Sequence, residues 1–399
     1  MEFVPYVISW NLTQRCNLRC KHCYIDAGTP MPGELSTDEA LHVLDEAAEV
    51  CREALLILSG GEPLLRPDLG ALVAHAAALG MMVVLGTNGT LLTVDRAQAL
   101  AGRGLSGVGI SLDSLVPSCH DAFRGVEGAW RAAIQGIEAA QRAGLDVQIQ
   151  MTLTRDTLPE VPEVIRFSRQ AGVRILTIFF LVCTGRGQDL VDLTPEEYER
   201  ALQWLVKLPS DGVMIRPRCA PSFRRVLAQT KPDSILLKSD AGRCMAGKSY
   251  CRITPDGKVT PCPYMPLVAG SLRESSFSTI WRSAPLFQAL RNPALQGRCG
   301  DCEYKNLCGG CRARAFATSG DPLAEDPWCT YVPGTDKPLP SHEETALNWT
   351  AEAEARLERV PFFVRRFVRS AVEAFARRQG VATVTPELLD EARRRMMPS

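Results

Sequence analysis

The chain has 399 residues, and its 45 Lys plus Arg balance 45 Asp plus Glu, so the formal charge at neutral pH is zero. That balance excludes steering by bulk charge and gives no footing for nucleic acid, an anionic membrane or a polyacidic substrate. The length suits an enzyme of two or three domains. Fifteen cysteines are too many for packing alone.

The opening MEFVPYVISW has no basic run and no cleavage site, and no later window holds about 18 uninterrupted apolar residues, so a cytoplasmic location is expected. A reducing compartment disfavours disulfides, which leaves metal ligation by thiolates as the natural use of the cysteines.

The first expected strand, 4–10, runs into CNLRCKHC, residues 16–23, where Cys16, Cys20 and Cys23 share one loop. Three thiolates there suit either a [4Fe–4S] cube with one iron lacking a protein ligand or a closed zinc site that recruits His22. Ser36 with Glu39 reads as a capping box opening a helix over 37–51. A strand over 54–59 ends in SGGEPLL, with Gly60, Gly61 and Glu62, and a helix follows at 69–79. The strand at 82–87 ends in GTNGT, with Asn88, before a helix at 93–103. The strand at 107–112 ends in ISLDS, with Ser111 and Asp113, before a helix at 128–143. Two more strands, 147–153 and 175–182, alternate with helices at 158–171 and 195–207, the last opened by Thr194, Pro195 and Glu197. Six βα units in a row predict a parallel α/β sheet curled toward a barrel, with its chemistry at the C-terminal ends of the strands.

From about 211 the pattern changes to short segments, glycines and clustered cysteines, which predicts a second domain over 211–333 held by metal, after a first over 1–210. Its cysteines are Cys244, Cys251, Cys262, Cys299, Cys302, Cys308, Cys311 and Cys329, enough for two four-thiolate sites. Paired CxxC units also suit a zinc ribbon. A Pro- and Gly-rich linker is expected over 334–345 and a small helical domain over 346–399. There Val364, Phe367, Val368, Ala371, Val372 and Phe375 follow the spacing of an amphipathic helix, and Pro386 opens another. Both signs of charge are mixed in that segment, so it has no basic footprint for a helix-turn-helix DNA reader.

These motifs, in this order, resemble the radical S-adenosylmethionine (SAM) superfamily: the CxxxCxxΦC loop with His22 at Φ, the GGE motif, then GTNGT and ISLDS. The resemblance implies an α/β fold, a partial (β/α)6 barrel, whose Cys16, Cys20 and Cys23 hold a [4Fe–4S] cluster. SAM would chelate the open iron, Glu62 would pair with its ammonium, and the Gly60–Gly61 backbone would approach its methionine, with Asn88, Ser111 and Asp113 as further cofactor contacts. Reductive cleavage of SAM then gives a 5′-deoxyadenosyl radical, and an electron donor is implied.

The later cysteines resemble the SPASM extension, which implies up to two auxiliary [4Fe–4S] clusters. Its interleaved order assigns Cys244, Cys251, Cys262 and Cys311 to one and Cys299, Cys302, Cys308 and Cys329 to the other. Two residues separate Cys308 from Cys311 where many members have three. Cys51, Cys119 and Cys183 are expected to be small core residues. Cys219, in RPRCAP, lies outside any strong periodic segment and is open to a ligand or substrate-side role.

Within that group FFLVCTGRG, RPRCAP, CMAGKSYC and CGDCEYKNLCGGCRARAFATSGD resemble the heme-synthesising branch that decarboxylates Fe-coproporphyrin III, and the related heme d1 enzymes. This implies an iron porphyrin as the small-molecule substrate and heme biosynthesis as the role, with Arg186, Arg216 and Arg218 as candidate propionate partners. The alternative is a maturase of a ribosomally made peptide or of a partner enzyme. An electron carrier that never cleaves SAM has no use for the Glu62 motif. The segment from 349 resembles the C-terminal tail of the light-independent protochlorophyllide reductase B subunit, and implies contact with a tetrapyrrole or a protein partner.

Overall fold

The computed structural model describes residues 3–190, 192–208, 212–238, 242–335, 347–360 and 362–396. Seven strands follow in chain order: β1 Val7–Asn11, β2 Leu55–Ser59, β3 Met82–Thr87, β4 Leu105–Ser111, β5 Asp146–Leu153, β6 Ile175–Phe180 and β7 Met214–Arg218. Each pairs parallel with the next. The connections are α1 Thr37–Val50, α2 Leu69–Ala78, α3 Val94–Ala101, α4 Pro117–Arg124, α5 Ala129–Arg142, α6 Val161–Gln170 and α7 Pro195–Lys207. Parallel strands need such crossovers, because a short turn cannot return the chain to the same end of the sheet.

Both predicted capping boxes form, at Ser36 with Glu39 and at Thr194 with Glu197. Among these crossovers the helix missed from sequence is α4. It opens on Pro117, ends at a left-handed Gly125, and buries His120 and Arg124, so apolar periodicity gives it no signal.

The expected boundary at 210 falls inside the sheet. The strand β7 pairs with β6 beyond it, and β8 Tyr250–Ile253 returns to pair parallel with the free edge of β1. Next come β9 Lys258–Thr260 and β10 Gly270–Ser271, both antiparallel, so one ten-stranded sheet runs β10-β9-β8-β1-β2-β3-β4-β5-β6-β7. The expected six βα units are therefore extended at both edges. Around this second half lie α8 Ser222–Thr230, α9 Phe277–Ser283, α10 Pro285–Arg291, α11 Gly297–Asp301 and α12 Arg312–Ser319.

Side chains alternate across the sheet. Ile8, Trp10, Leu56, Leu58, Leu85 and Val108 lie on the helix side and are almost fully buried. Register places Ser9, Asn11, Ser59, Gln148, Gln150 and Thr177 on the opposite face, which is polar. Arg216 and Arg218 of β7 continue that face at one edge, and Arg252 of β8 continues it on the other side of β1. An apolar face toward the helices and a polar face away from them is the arrangement of a sheet that binds on its open side.

The C-terminal unit has its own core of Ala353, Val372, Phe375, Ala376, Val384 and Ala392. It comprises β11 Asn348–Trp349, α13 Ala351–Glu358, α14 Phe362–Arg378, β12 Thr383–Val384 and α15 Pro386–Met396, with β11 and β12 parallel. The predicted stripe is confirmed at Ala371, Val372 and Phe375, while the side chains of Val364 and Phe367 lie outside the described residues. Most of the linker expected over 334–345 also lies outside them. Among the described residues no helix is long and apolar enough to cross a membrane.

Candidate functional site

The loop after β1 is pinned from several sides. Cys16 N donates to Gly28 O at 2.9 Å and Gly28 N to Gln14 O at 2.9 Å. The end of α4 accepts two more donors, Arg19 N at Arg124 O (3.1 Å) and Lys21 N at Phe123 O (2.9 Å). Arg186 closes the loop from the far side, donating to Cys20 O at 2.9 Å, Ala27 O at 2.9 Å and Asp26 Oδ1 at 2.5 Å. Those bonds correct one expectation: the Arg186 guanidinium holds the cysteine loop and is not free for a substrate carboxylate.

Within the loop Cys16, Cys20 and Cys23 pack together with Leu18 and Ala129. Each sulfur has a donor: Leu18 N to Cys16 Sγ at 3.4 Å, Ala27 N to Cys23 Sγ at 3.3 Å, and Arg124 Nη1 to Cys20 Sγ at 3.7 Å. Burial pushes the Cys16 thiol up to about 11 and the Cys20 thiol upward too, Arg124 opposing the latter. Such thiols give up their protons only as iron binds. His22 stacks on Phe123 at 4.4 Å, and burial takes it down to about 3. The charged groups that act on it most are Arg124, Asp113, Arg186 and His120.

Gly60 and Gly61 are required by this loop. A Cβ on Gly60 would stand 2.5 Å from Thr13 O, at φ +143°, and one on Gly61 would stand 2.2 Å from Arg15 O. With no side chain, Gly61 N reaches Thr13 O at 2.7 Å and Glu62 N reaches Arg15 O at 2.8 Å, which extends the β1–β2 ladder under the cysteines.

Glu62 is fully buried. Its Oε1 accepts from Leu64 N at 3.1 Å and Thr87 Oγ1 at 2.7 Å, and its Oε2 from Asn88 N at 2.9 Å. Burial outweighs these donors and raises its pKa, a shift that a cation beside it would reverse. Asn88 in turn donates from Nδ2 to Asn17 Oδ1 at 2.9 Å, next to Cys16, so the ends of β2 and β3 are tied to the loop. Asn17 had no signal in the sequence beyond its place in the motif.

Asp113 departs from its expected role. It is fully buried and accepts from Arg124 Nε at 2.6 Å and Thr152 N at 2.9 Å, which leaves it anchoring the arginine that faces Cys20, not open to a ribose. Ser111 ends β4, half-buried, in register with Gln150 on the polar face.

The later cysteines form two groups. Cys299, Cys302, Cys308 and Cys329 line a single cavity. Their donors are Asp326 N to Cys299 Sγ, Tyr304 N to Cys302 Sγ and Gly310 N to Cys308 Sγ, each at 3.4 Å. Cys262 and Cys311 pack in a second group, with Cys219 beside them. Asp326 links the groups, since its Oδ2 also accepts from Cys311 N at 2.7 Å. Among the described residues no three His, Cys, Asp or Glu side chains close on one ion. Cys51 is buried as expected, whereas Cys119, expected in the core, is exposed.

Comparison with known proteins agrees with this geometry. Residues 10–168 match the model of the Radical SAM superfamily, 244–303 that of the Iron-sulfur cluster-binding domain, and 349–393 that of the Proto-chlorophyllide reductase 57 kD subunit. The AdoMet-dependent heme synthase of Methanosarcina barkeri is 39% identical over 84% of this chain and 99% of its own. The pre-heme d1 synthase of Dinoroseobacter shibae is 34% identical over 81% of this chain and 85% of its own. In structure the fold resembles SuiB of Streptococcus suis bound to S-adenosylmethionine, with TM-score 0.67 at 15% identity over 82% of this chain and 78% of that one. The fold and site thus define a SAM-dependent iron–sulfur enzyme. The chain belongs to the radical SAM superfamily, in its SPASM branch, and its cofactors are [4Fe–4S] clusters and SAM.

Proposed function

We propose that this enzyme oxidatively decarboxylates propionate side chains of an iron porphyrin. The names of its relatives point to heme and heme d1 synthesis. The observation that carries the reading is the pair Arg216 and Arg218. Both lie on the polar face of β7, half-buried, and among the described residues no carboxylate acts on either. Burial lowers both, Arg216 to about 10 with Arg218 adding to the effect. A half-buried guanidinium pair without counter-ions is an unfavourable arrangement that two carboxylates would relieve, and the planar fork suits them bidentately.

On this reading Cys16, Cys20 and Cys23 hold the SAM-binding cluster, Glu62 takes the SAM ammonium, and Asn88 and Ser111 border the cofactor. When bound, the reduced cluster and SAM supply a 5′-deoxyadenosyl radical that removes a propionate hydrogen. Loss of CO2 and one electron would then leave a vinyl group, and an auxiliary cluster held by the later cysteines would supply the electron acceptor. Arg216 and Arg218 fix the carboxylates, and the sheet's polar face keeps the porphyrin side chains over the cluster loop. An external donor reduces the cluster.

The test is anaerobic turnover of the reconstituted enzyme with reductant, SAM and Fe-coproporphyrin III, following 5′-deoxyadenosine and porphyrin mass together. Loss of CO2 plus two hydrogens per propionate is expected. SAM cleavage with the porphyrin unchanged would overturn the substrate and turn the search to peptides or another tetrapyrrole.

A further inference from the structure

Eight cysteines follow the sheet's parallel half, and interleaved spacing gives Cys251 to the first auxiliary cluster. The fold separates it from its expected partners. Cys251 is the second residue of β8 and pairs with Ile8 of β1, so its side chain shares the helix side of the sheet with Ile8. It is fully buried and belongs to the main apolar core, which also holds Ile253 and Phe287. Among the described residues the charged group shifting it is Arg291 of α10, and burial pushes its thiol far up.

Cys262 and Cys311 lie elsewhere, in the separate packing group of Val182, Met265 and Ala313. Cys219 packs against that same group. It is one of two residues other than glycine with positive φ among the described residues, at +58°. An L side chain enters that region at a penalty, so the turn after β7 is held there by its surroundings. The turn brings Cys219 to Cys262 and Cys311. The charged surroundings agree: Cys219 has Cys311, Cys262 and Cys244 among its neighbours, Cys262 has Cys244 and Cys311, and Cys311 has Cys244.

We infer that Cys219, and not Cys251, joins Cys244, Cys262 and Cys311 as the fourth thiolate of the first auxiliary [4Fe–4S] cluster. Each thiol gives its proton to solvent as its iron–sulfur bond forms. Four thiolates leave that cluster with no open iron, so it passes electrons and does not bind substrate. Cys251 serves as a small apolar residue of the core.

The test compares two variants of the full chain, reconstituted anaerobically, by iron and sulfide content and by EPR of the reduced clusters. Cys251→Val keeps the packing of a small buried hydrophobe. Cys219→Gly accepts the left-handed backbone without strain, so loss of fold does not confuse its result. Wild type and Cys251→Val are expected to hold about 12 irons, three cubes of four. Cys219→Gly is expected either to fall to about 8 irons or to keep its iron with one auxiliary EPR signal changed, as ligand exchange at one corner requires. The inference is overturned if Cys219→Gly matches wild type in both iron and spectrum, or if Cys251→Val, folded by circular dichroism, loses a cluster. No outcome depends on the porphyrin, so this test and that of the substrate fail separately.

Discussion

Removing the Arg124 guanidinium separates what the Asp113–Arg124–Cys20 chain does for the fold from what it does for the cluster. Both members of the ion pair are buried, with side-chain exposures of 0% for Asp113 and 8% for Arg124, and they meet at 2.6 Å. Taking away one partner of such a pair strands the other charge and costs about 3–5 kcal/mol. Arg124→Met keeps the apolar stem and loses the charge, so it is expected to lose that amount. Asp113→Asn alone loses a similar amount, although its Oδ1 still accepts from Thr152 N. The double variant strands neither charge and should recover more than half of the loss. The assay is anaerobic urea unfolding of cluster-free protein followed by tryptophan fluorescence, with the four chains forming a double-mutant cycle. In reconstituted protein the same Arg124→Met change removes a positive donor 3.7 Å from Cys20 Sγ. A cation there favours the more negative, reduced cluster, so the midpoint potential should fall by about 40 mV, equivalent to about 1 kcal/mol for one electron. A single variant within 1 kcal/mol of wild type, or a double variant no better than the singles, would refute the pairing argument.

Three further outcomes are expected. In Glu62→Gln the new amide must face either Asn88 N or Leu64 N, leaving one buried N–H unpaired at about 1–3 kcal/mol. The lost charge should weaken SAM binding by at least tenfold in calorimetry, and unchanged affinity would remove Glu62 from the cofactor site. His120 is held neutral, down to about 4 by burial despite Asp113 at 3.9 Å. The unfolded chain binds that proton from about pH 6.5, so stability is full above that value and falls toward pH 4 by up to about 1.4 kcal/mol per pH unit. His120→Asn should flatten this part of the urea-midpoint profile. Arg186→Met unlatches the loop at Cys20 O and Ala27 O, at about 1 kcal/mol per lost bond, so iron release to a chelator should quicken roughly tenfold.

Sequence pattern was a good guide wherever a local rule acts. Six strands and the capping boxes at Ser36 and Thr194 lie where alternation and capping residues put them. Helix α4 was hidden because its buried face is His120 and Arg124, polar groups matched across space to Asp113. The return of β8 to β1 was hidden for a related reason, since pairing between residues 7 and 250 is a contact of long range and Tyr250–Ile253 is only four residues long. Spacing did not show that Cys251 shares the helix side of the sheet with Ile8, nor that Cys219 packs against the group of Cys262 and Cys311. Spacing counts residues along the chain, whereas ligation depends on which face of a strand each sulfur leaves, and that face follows from the register of β8 on β1.

That register also explains why one sheet can serve both halves of the chemistry. The strands β1 to β4 end at the cysteine loop, Glu62, Asn88 and Ser111, while β7 ends at Arg218 and the next residue is Cys219. Arg218 lies on the polar face where a carboxylate would bind, and Cys219 turns by its left-handed backbone into the thiol group of Cys262 and Cys311. One peptide bond thus joins the proposed carboxylate partner to the proposed cluster ligand. An electron released as CO2 leaves would enter the auxiliary cluster beside the arginine that held the carboxylate, and no mobile carrier is needed between them.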